Sequence, residues 1–205
     1  MVNFEKIYLR VALKIIERCH GAIKITKRGK IVEVYDLNRH IWSDGLAGLI
    51  IKEECRSANL KEWEFANVRS YVIKELLAKS KRPLLYVGAG TVISGAAKQV
   101  LKLAEKIQAP VTTTLLGKGG FSERHPLSVG MLGMHGTAYA NKTVVDCDLI
   151  MAIGARWDDR ITGKVSEFCN NAIKIHIDID PAEFGKIIQP DISVNGDVAA
   201  VLDEL

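Results

Sequence analysis

Two five-residue apolar runs, PLLYV at 83–87 and LIMAI at 149–153, each lead directly into glycine, Gly88 and Gly154. A strand that is apolar on both faces has to be covered on both faces, which selects a parallel sheet with helices packed on either side. Glycine at its C-terminal end lets the backbone turn sharply away. The remaining periodicities fit this frame. Val100, Leu103, Ala104 and Ile107 lie on one face of a helix, and PVTTT (110–114) is a β-branched strand entered by Pro110. LIMAIGA (149–155) and IKIHIDID (173–180) are expected as the third and fourth strands, SVNGD (193–197) as a short fifth, and a final helix starts at Val198. The expected fold is an α/β, doubly wound parallel sheet over residues 68–205, preceded by a small α+β segment over residues 1–67.

In the N-terminal part, Phe4, Ile7, Val11 and Ile15 recur at helical spacing up to Gly21. AIKITKRGKIVEVY (22–35) alternates as a hairpin around Arg28-Gly29, and Ser43-Asp44 can cap a short helix reaching Glu54. A further helix carries Phe65, Val68, Val72 and Leu76 on one face and runs to Lys79. Residues 1–80 hold 15 Lys/Arg against 10 Asp/Glu, whereas residues 81–205 hold 13 against 14, so the positive charge sits at the N-terminal end. Five excess charges over that length fit a solvated surface better than a nucleic-acid footprint.

Cys19, Cys55, Cys147 and Cys169 show no metal-ligand spacing and are expected as reduced, mostly buried thiols, with no metal site. Charged residues break up the first twenty positions, so no signal-peptide core is expected. No stretch has the length and apolarity of a membrane span. A cytoplasmic location is the expectation.

Four loops are candidates for ligand binding. GAGTVISG (88–95) has Gly88 and Gly90 but Ile93 where a dinucleotide fingerprint needs its third glycine. It is therefore not a standard NAD turn, although its amides can still approach a phosphate. GMLGMHG (130–136) reads as a glycine-lined loop, with Met134 suited to an aromatic ring face and His135 a donor to a ligand oxygen. GARWDDR (154–160) follows a buried strand and sets Arg156 and Arg160 on either side of Asp158 and Asp159, an arrangement suited to phosphate or carboxylate. In HIDID (176–180) a period of two puts His176, Asp178 and Asp180 on one side, where a carboxylate can accept a ribityl or ribose hydroxyl.

KRPLLYVGAG, APVTTTLLGKGGF, HPLSVGMLGMHGTAYAN, DLIMAIGARWDDRITGK and KIHIDIDPAEFGK together resemble, in order and spacing, the central domain of acetohydroxyacid synthase (acetolactate synthase), from about residue 70 to 205. That family consists of thiamine-diphosphate enzymes that condense 2-keto acids in branched-chain amino-acid synthesis. Their central domain holds FAD, which is not reduced in the main carboligation. The resemblance implies FAD contacts at Gly88, Ala89 and Gly90, and at Thr114, Leu115 and Leu116. It implies further contacts at Gly133, Met134 and His135, then at Gly154, Ala155, Arg156, Asp158 and Arg160. Asp178, Ile179, Gly196 and Asp197 complete the set. Arg160, oriented by Asp159, corresponds to the arginine that receives the second keto acid's carboxylate. GAIKITKRGKIVEVYDLNRHIW has a slight similarity to small N-terminal modules of phage primase-helicases.

The family's first domain, with its catalytic glutamate, and its third domain, with the thiamine-diphosphate and magnesium motif, have no counterpart in this sequence. Hence the expectation is an acetolactate synthase-like chain carrying only the central FAD-binding domain, inactive alone, with no catalytic residue of its own beyond the candidate Arg160. Thiamine diphosphate and Mg are expected only with the full-length family's other domains. The expected partners are a second copy of the chain or those domains, and a small 2-keto acid, with no membrane and no nucleic acid. The alternatives are a non-catalytic FAD or nucleotide-binding module, or a fusion with a nucleic-acid-interacting N-terminal segment. Flavin absorbance separates the flavin-binding readings from the last, and acetolactate formation separates enzyme from module.

Overall fold

A computed structural model describes residues 23–27, 30–35 and 64–205. The expected helices over 4–15 and 43–54 lie outside the described residues. Strand β1 (Ile23–Lys27) pairs antiparallel with β2 (Lys30–Tyr35), Ile23 opposite Tyr35 and Lys27 opposite Lys30, as the alternation in that segment predicts.

Helix α1 (Glu64–Lys79) leads into six strands: β3 (Pro83–Val87), β4 (Val111–Thr113), β5 (Ser128–Met131), β6 (Leu149–Ile153), β7 (Ile173–Asp178) and β8 (Ile192–Asn195). They form one sheet in the order β5-β4-β3-β6-β7-β8, and every neighbouring pair is parallel. The chain winds outward from β3 to β5, returns to the centre at β6, and winds outward again. This is the doubly wound α/β fold, with its topological switch between β3 and β6. The intervening helices are α2 (Ala89–Ile93), α3 (Ala97–Ile107), α4 (Ala138–Asp146), α5 (Asp159–Thr162) and α6 (Val198–Asp203).

Period two along the central strands sends side chains into two separate cores. Leu85 and Val87 of β3, with Leu149, Met151 and Ile153 of β6, meet Val72 and Leu76 of α1, Val100 and Leu103 of α3, and Leu202 of α6. Leu84, Tyr86, Ile150 and Ala152 point the other way, against Ala140 and Val144 of α4 and against Trp157 and Phe168. All ten residues of β3 and β6 are buried, which is why these two runs carry no polar alternation.

Two sequence expectations need correcting. The glycine-lined stretch 130–136 is not all loop: Gly130 and Met131 belong to edge strand β5, which pairs with β4. Gly130 sits there at φ +83°, and a Cβ on it would come within 2.9 Å of Thr137 Cγ2. The strands are also shorter than expected at their C-terminal ends, stopping at Thr113, Ile153 and Asp178. At β6 the cause is Gly154, whose φ of +56° leaves the extended region.

Candidate ligand-binding site at the strand tips

In an open parallel sheet the crevice beyond the strands' carboxyl ends, at the topological switch, is the natural ligand site. Here the loops after β3 and β6 meet in that place. The Gly88 amide donates to the Ile153 carbonyl (3.0 Å) and the Gly90 amide to the Gly154 carbonyl (2.9 Å), while the Gly154 amide reaches the Ile177 carbonyl of β7 (2.8 Å). A Cβ on Gly88 would lie 2.2 Å from Gly154 O, and one on Gly90 2.7 Å from Gly154 Cα. These glycines are therefore required by backbone packing between the loops, whatever the loops hold.

The loop after β5 joins the same end. The Met134 amide donates to the Arg160 carbonyl (2.9 Å), and a Cβ on Gly133 would lie 2.6 Å from that oxygen. Asn141 clamps Gly133 from α4, accepting from its amide (2.8 Å) and donating to its carbonyl (3.1 Å). Met134 and His135 stay exposed. Leu115 and Leu116 after β4 and Ile179 after β7 are exposed as well, so an apolar rim borders the tips.

In the loop after β6, Arg156 is exposed, and its carbonyl accepts the buried Tyr86 hydroxyl (3.1 Å). Burial, then the charge of Asp158, pushes the Tyr86 phenol up, so it acts as a neutral donor. Asp158 caps α5 by accepting from the Arg160 amide (3.0 Å). Arg160 Nε lies 3.8 Å from Asp159 Oδ1 with both side chains in solvent, too long for a hydrogen bond and heavily screened.

Of the three polar residues expected on one side of β7, His176 and Asp178 are buried, whereas Asp180 lies past the strand and caps the turn at Pro181–Glu183 through the Ala182 amide (2.9 Å). The Trp157 indole N–H donates to His176 Nδ1 (3.2 Å), and His176 Nε2 faces Asp178 Oδ2 at 3.7 Å. Burial holds this imidazole below the ordinary histidine range, against the charge of Asp178. The Asp178 backbone carbonyl accepts from the Gly196 amide (3.0 Å) and from Asn195 Nδ2 (3.1 Å), which draws the β8 loop in. Asp197 caps α6 through the Ala199 and Ala200 amides and accepts from the Ser94 hydroxyl (2.9 Å), pinning α6 to the end of α2. These hydrogen bonds hold its carboxyl below the ordinary range.

The candidate residues therefore gather on the carboxyl edge of one sheet, in loops bonded to one another in sequence. Sequence reasoning passed over Tyr86, Trp157 and Asn141, which hold those loops in place. Their partners are 70, 19 and 8 residues away; the sheet order brings the first two pairs together, and the turn from β5 into α4 the third. A separate cavity of about 470 Å³ opens at the opposite edge, lined by Lys81, Arg82, Pro83, Pro110 and Lys142 among others. Among the described residues no helix is long and apolar enough to cross a membrane.

Residues 72–205 match the family described as thiamine pyrophosphate enzyme, central domain. The chain is 57% identical over 132 residues to the acetolactate synthase large subunit of Cyanidium caldarium, an alignment covering 64% of this chain and 23% of that protein. It is 52% identical over 131 residues to the probable acetolactate synthase large subunit of Methanocaldococcus jannaschii, covering 64% and 22%. To the acetolactate synthase of Arthrospira platensis it is 51% identical over 134 residues, covering 64% and 23%. The chain thus spans less than a quarter of the length of these relatives.

Proposed function

This chain belongs to the thiamine pyrophosphate enzyme central-domain family, and we propose that it serves as the FAD-binding central unit of an acetolactate synthase. The observation that carries the reading is the coincidence of two facts. Alignments above 50% identical to acetolactate synthase large subunits cover 64% of the chain, and the strand-tip loops within the family match at residues 72–205 present a set of groups suited to one extended ligand.

FAD has a flat apolar ring, a polyhydroxyl chain, an anionic diphosphate and an adenosine, and each part finds matching chemistry. Leu115, Leu116, Met134 and Ile179 offer exposed apolar surface for the rings. Arg156 and Arg160 offer exposed guanidinium groups for the diphosphate. Asp178, nearly buried and adjoining the β8 loop, offers carboxylate oxygens to a hydroxyl. The Thr113 hydroxyl, at the tip of β4, is buried with no hydrogen-bond partner among the described residues, a polar atom that a ligand or water would satisfy. Bound FAD would bring a two-electron acceptor that the family's main carboligation does not use. The chain's own part is to bind and orient it: Gly88, Gly90 and Gly154 bring the loop backbones together, and Asp158 and Asp197 anchor the helices that follow.

Arg160, exposed on the rim, is the group proposed to receive a 2-keto acid's carboxylate. Carboligation itself also needs the glutamate and the thiamine-diphosphate and magnesium ligands of the family's other domains, supplied on the same or another chain. The test is to titrate the purified 205-residue protein with FAD and follow flavin fluorescence. Saturable binding of one FAD per chain, weakened in Arg156→Ala, is the expected result. A chain that takes up no flavin overturns the proposal. Acetolactate formed from pyruvate, thiamine diphosphate and magnesium by this chain alone would overturn its dependence on the other domains.

A further inference from the structure

His176 is completely buried, yet its Nε2 has no hydrogen-bond partner among the described residues. The Ala155 backbone carbonyl lies against the ring as an acceptor, and one donor bears on where the ring proton sits. The Trp157 indole can only donate, so the His176 Nδ1 it points at (3.2 Å) has to accept. The single proton of the neutral ring is then on Nε2, the nitrogen aimed at Asp178 Oδ2 (3.7 Å). Aromatic rings hold the imidazole edge-on from two sides, Trp157 with centroids 5.8 Å apart and Phe184 at 5.0 Å. The charged groups facing it are Asp178 on its own strand and Glu183 on the turn after β7. The Asp178 carboxylate is held at its other oxygen, where Oδ1 accepts the Asp180 amide (2.9 Å).

We propose that His176 is a positioning residue: locked by Trp157 as the Nε2–H tautomer, it presents a proton to Asp178 and holds that carboxylate ready to accept a hydroxyl of a polyhydroxylated ligand. This rests on the FAD-binding reading of the strand tips. The gap of 3.7 Å is longer than a hydrogen bond. A shift of Asp178 by less than one ångström closes it, so ligand engagement and this contact reinforce each other. The Trp157–His176 hydrogen bond also ties the loop after β6 to β7, the strand that ends in Asp178.

Two measurements on the full chain test this. Long-range ¹H–¹⁵N correlation spectra report which ring nitrogen carries the proton. The expected result is a neutral ring with Nε2–H at pH 7, mixed tautomers in Trp157→Phe, and a shifted Nε2 resonance in Asp178→Asn. A ring protonated on Nδ1 overturns the proposal. In FAD titrations, His176→Gln places an amide donor where Nε2 was, while His176→Asn keeps an acceptor for Trp157 but cannot reach Asp178. Positioning predicts near-native affinity for Gln and about tenfold weaker binding for Asn. Equal weakening in both, tracking their loss of Tm, would mean that His176 only packs. A native chain that takes up no FAD overturns the proposed function and the ligand half of this inference together, while the tautomer is decided by the spectra alone.

Discussion

At the scale of single residues, backbone contacts at the strand tips leave no room for a side chain. Gly154 combines φ +56° with a would-be Cβ 2.7 Å from Gly90 Cα, so Gly154→Ala has to strain its backbone and also push the two loops apart. The expected loss is about 3 kcal/mol, read from urea unfolding, with Gly95→Ala as the comparison. Gly95 also has positive φ but open space where its Cβ would go, and is expected to lose less. Asp148, at the opposite end of β6, gives a pH signature. Burial alone would raise its carboxyl. The Ser80 hydroxyl, the Lys81 and Arg82 amides (2.9 and 3.0 Å) and the Arg82 charge outweigh that and hold it below the ordinary range. A depressed carboxylate stabilises the fold above its unfolded-state pKa, and that contribution fades as pH falls through the lower folded value. Asp148→Asn is therefore expected to be less stable than the native chain at pH 7, with the difference shrinking toward pH 3. A difference that stays constant from pH 7 to 3 would contradict this. Cys147 and Cys169 both donate to the Val144 carbonyl (3.1 and 3.3 Å). The neighbouring Cys169 side chain, then burial, pushes the Cys147 thiol far above the usual thiol range. Cys147 beside it and the Lys174 charge pull the Cys169 thiol down against burial, and both thiols hold their protons in the bonds to the Val144 oxygen. In a Cys19→Ser/Cys55→Ser background neither thiol should react with a thiol reagent until urea unfolds the chain.

At the scale of elements, α4 shows how local chemistry sets a boundary. Thr137 stands at its N-cap, accepting from the Ala140 amide (3.1 Å) and donating to the Val129 carbonyl of β5 (2.7 Å). Thr137→Ala is expected to cost about 1 kcal/mol in thermal or urea unfolding. Replacement by Ser keeps the oxygen and should recover most of that loss. What was legible in the sequence follows the same logic. β3 and β6 are continuous apolar runs because they lie at the sheet centre, covered on both faces, and α3 is legible because Val100, Leu103 and Ala104 all enter one core. β5 was not legible: its four residues, SVGM, are only partly buried at the edge and include a glycine at positive φ. α4 was not foreseen because AYANKTVVD buries only Ala140 and Val144, so no apolar stripe marks it. At the site, the loops were placed by their glycines and paired charges. The roles of Asp158, Asp180 and Asp197 as helix or turn caps were not, since a capping carboxylate and a ligand-binding one look alike in sequence.

At the scale of the whole molecule, the two edges of the sheet are built differently. At the N-terminal edge, Asp148 ties down the chain before β3 and Asp191 the start of β7, accepting from the Lys174 amide (2.7 Å). At the carboxyl edge the loops are internally bonded, but Ile93, Leu115, Leu116, Met134 and Ile179 remain in solvent, between 67% and 85% exposed. Exposed apolar side chains at the tips favour covering by a ligand, by further domains or by another copy of the chain, and Tyr139 and Val145 of α4 are as exposed elsewhere on the surface. If FAD covers them, it binds the folded state and not the unfolded one, so it has to raise stability by mass action. At a hundredfold excess over Kd the gain is about 2.7 kcal/mol. Thermal unfolding with and without FAD is expected to show a rise in Tm that grows with flavin concentration, and Arg156→Ala should need more flavin for the same rise. The carboxyl edge makes a second demand on the same experiment. Without flavin, sedimentation velocity should show concentration-dependent association, and Leu115→Ser/Leu116→Ser should reduce it because those leucines have little internal packing to lose. Flavin that raises Tm without changing association would mean that ligand and self-contact use different surfaces. Flavin that does both would mean that the tips form a single surface, shared in turn by cofactor and partner.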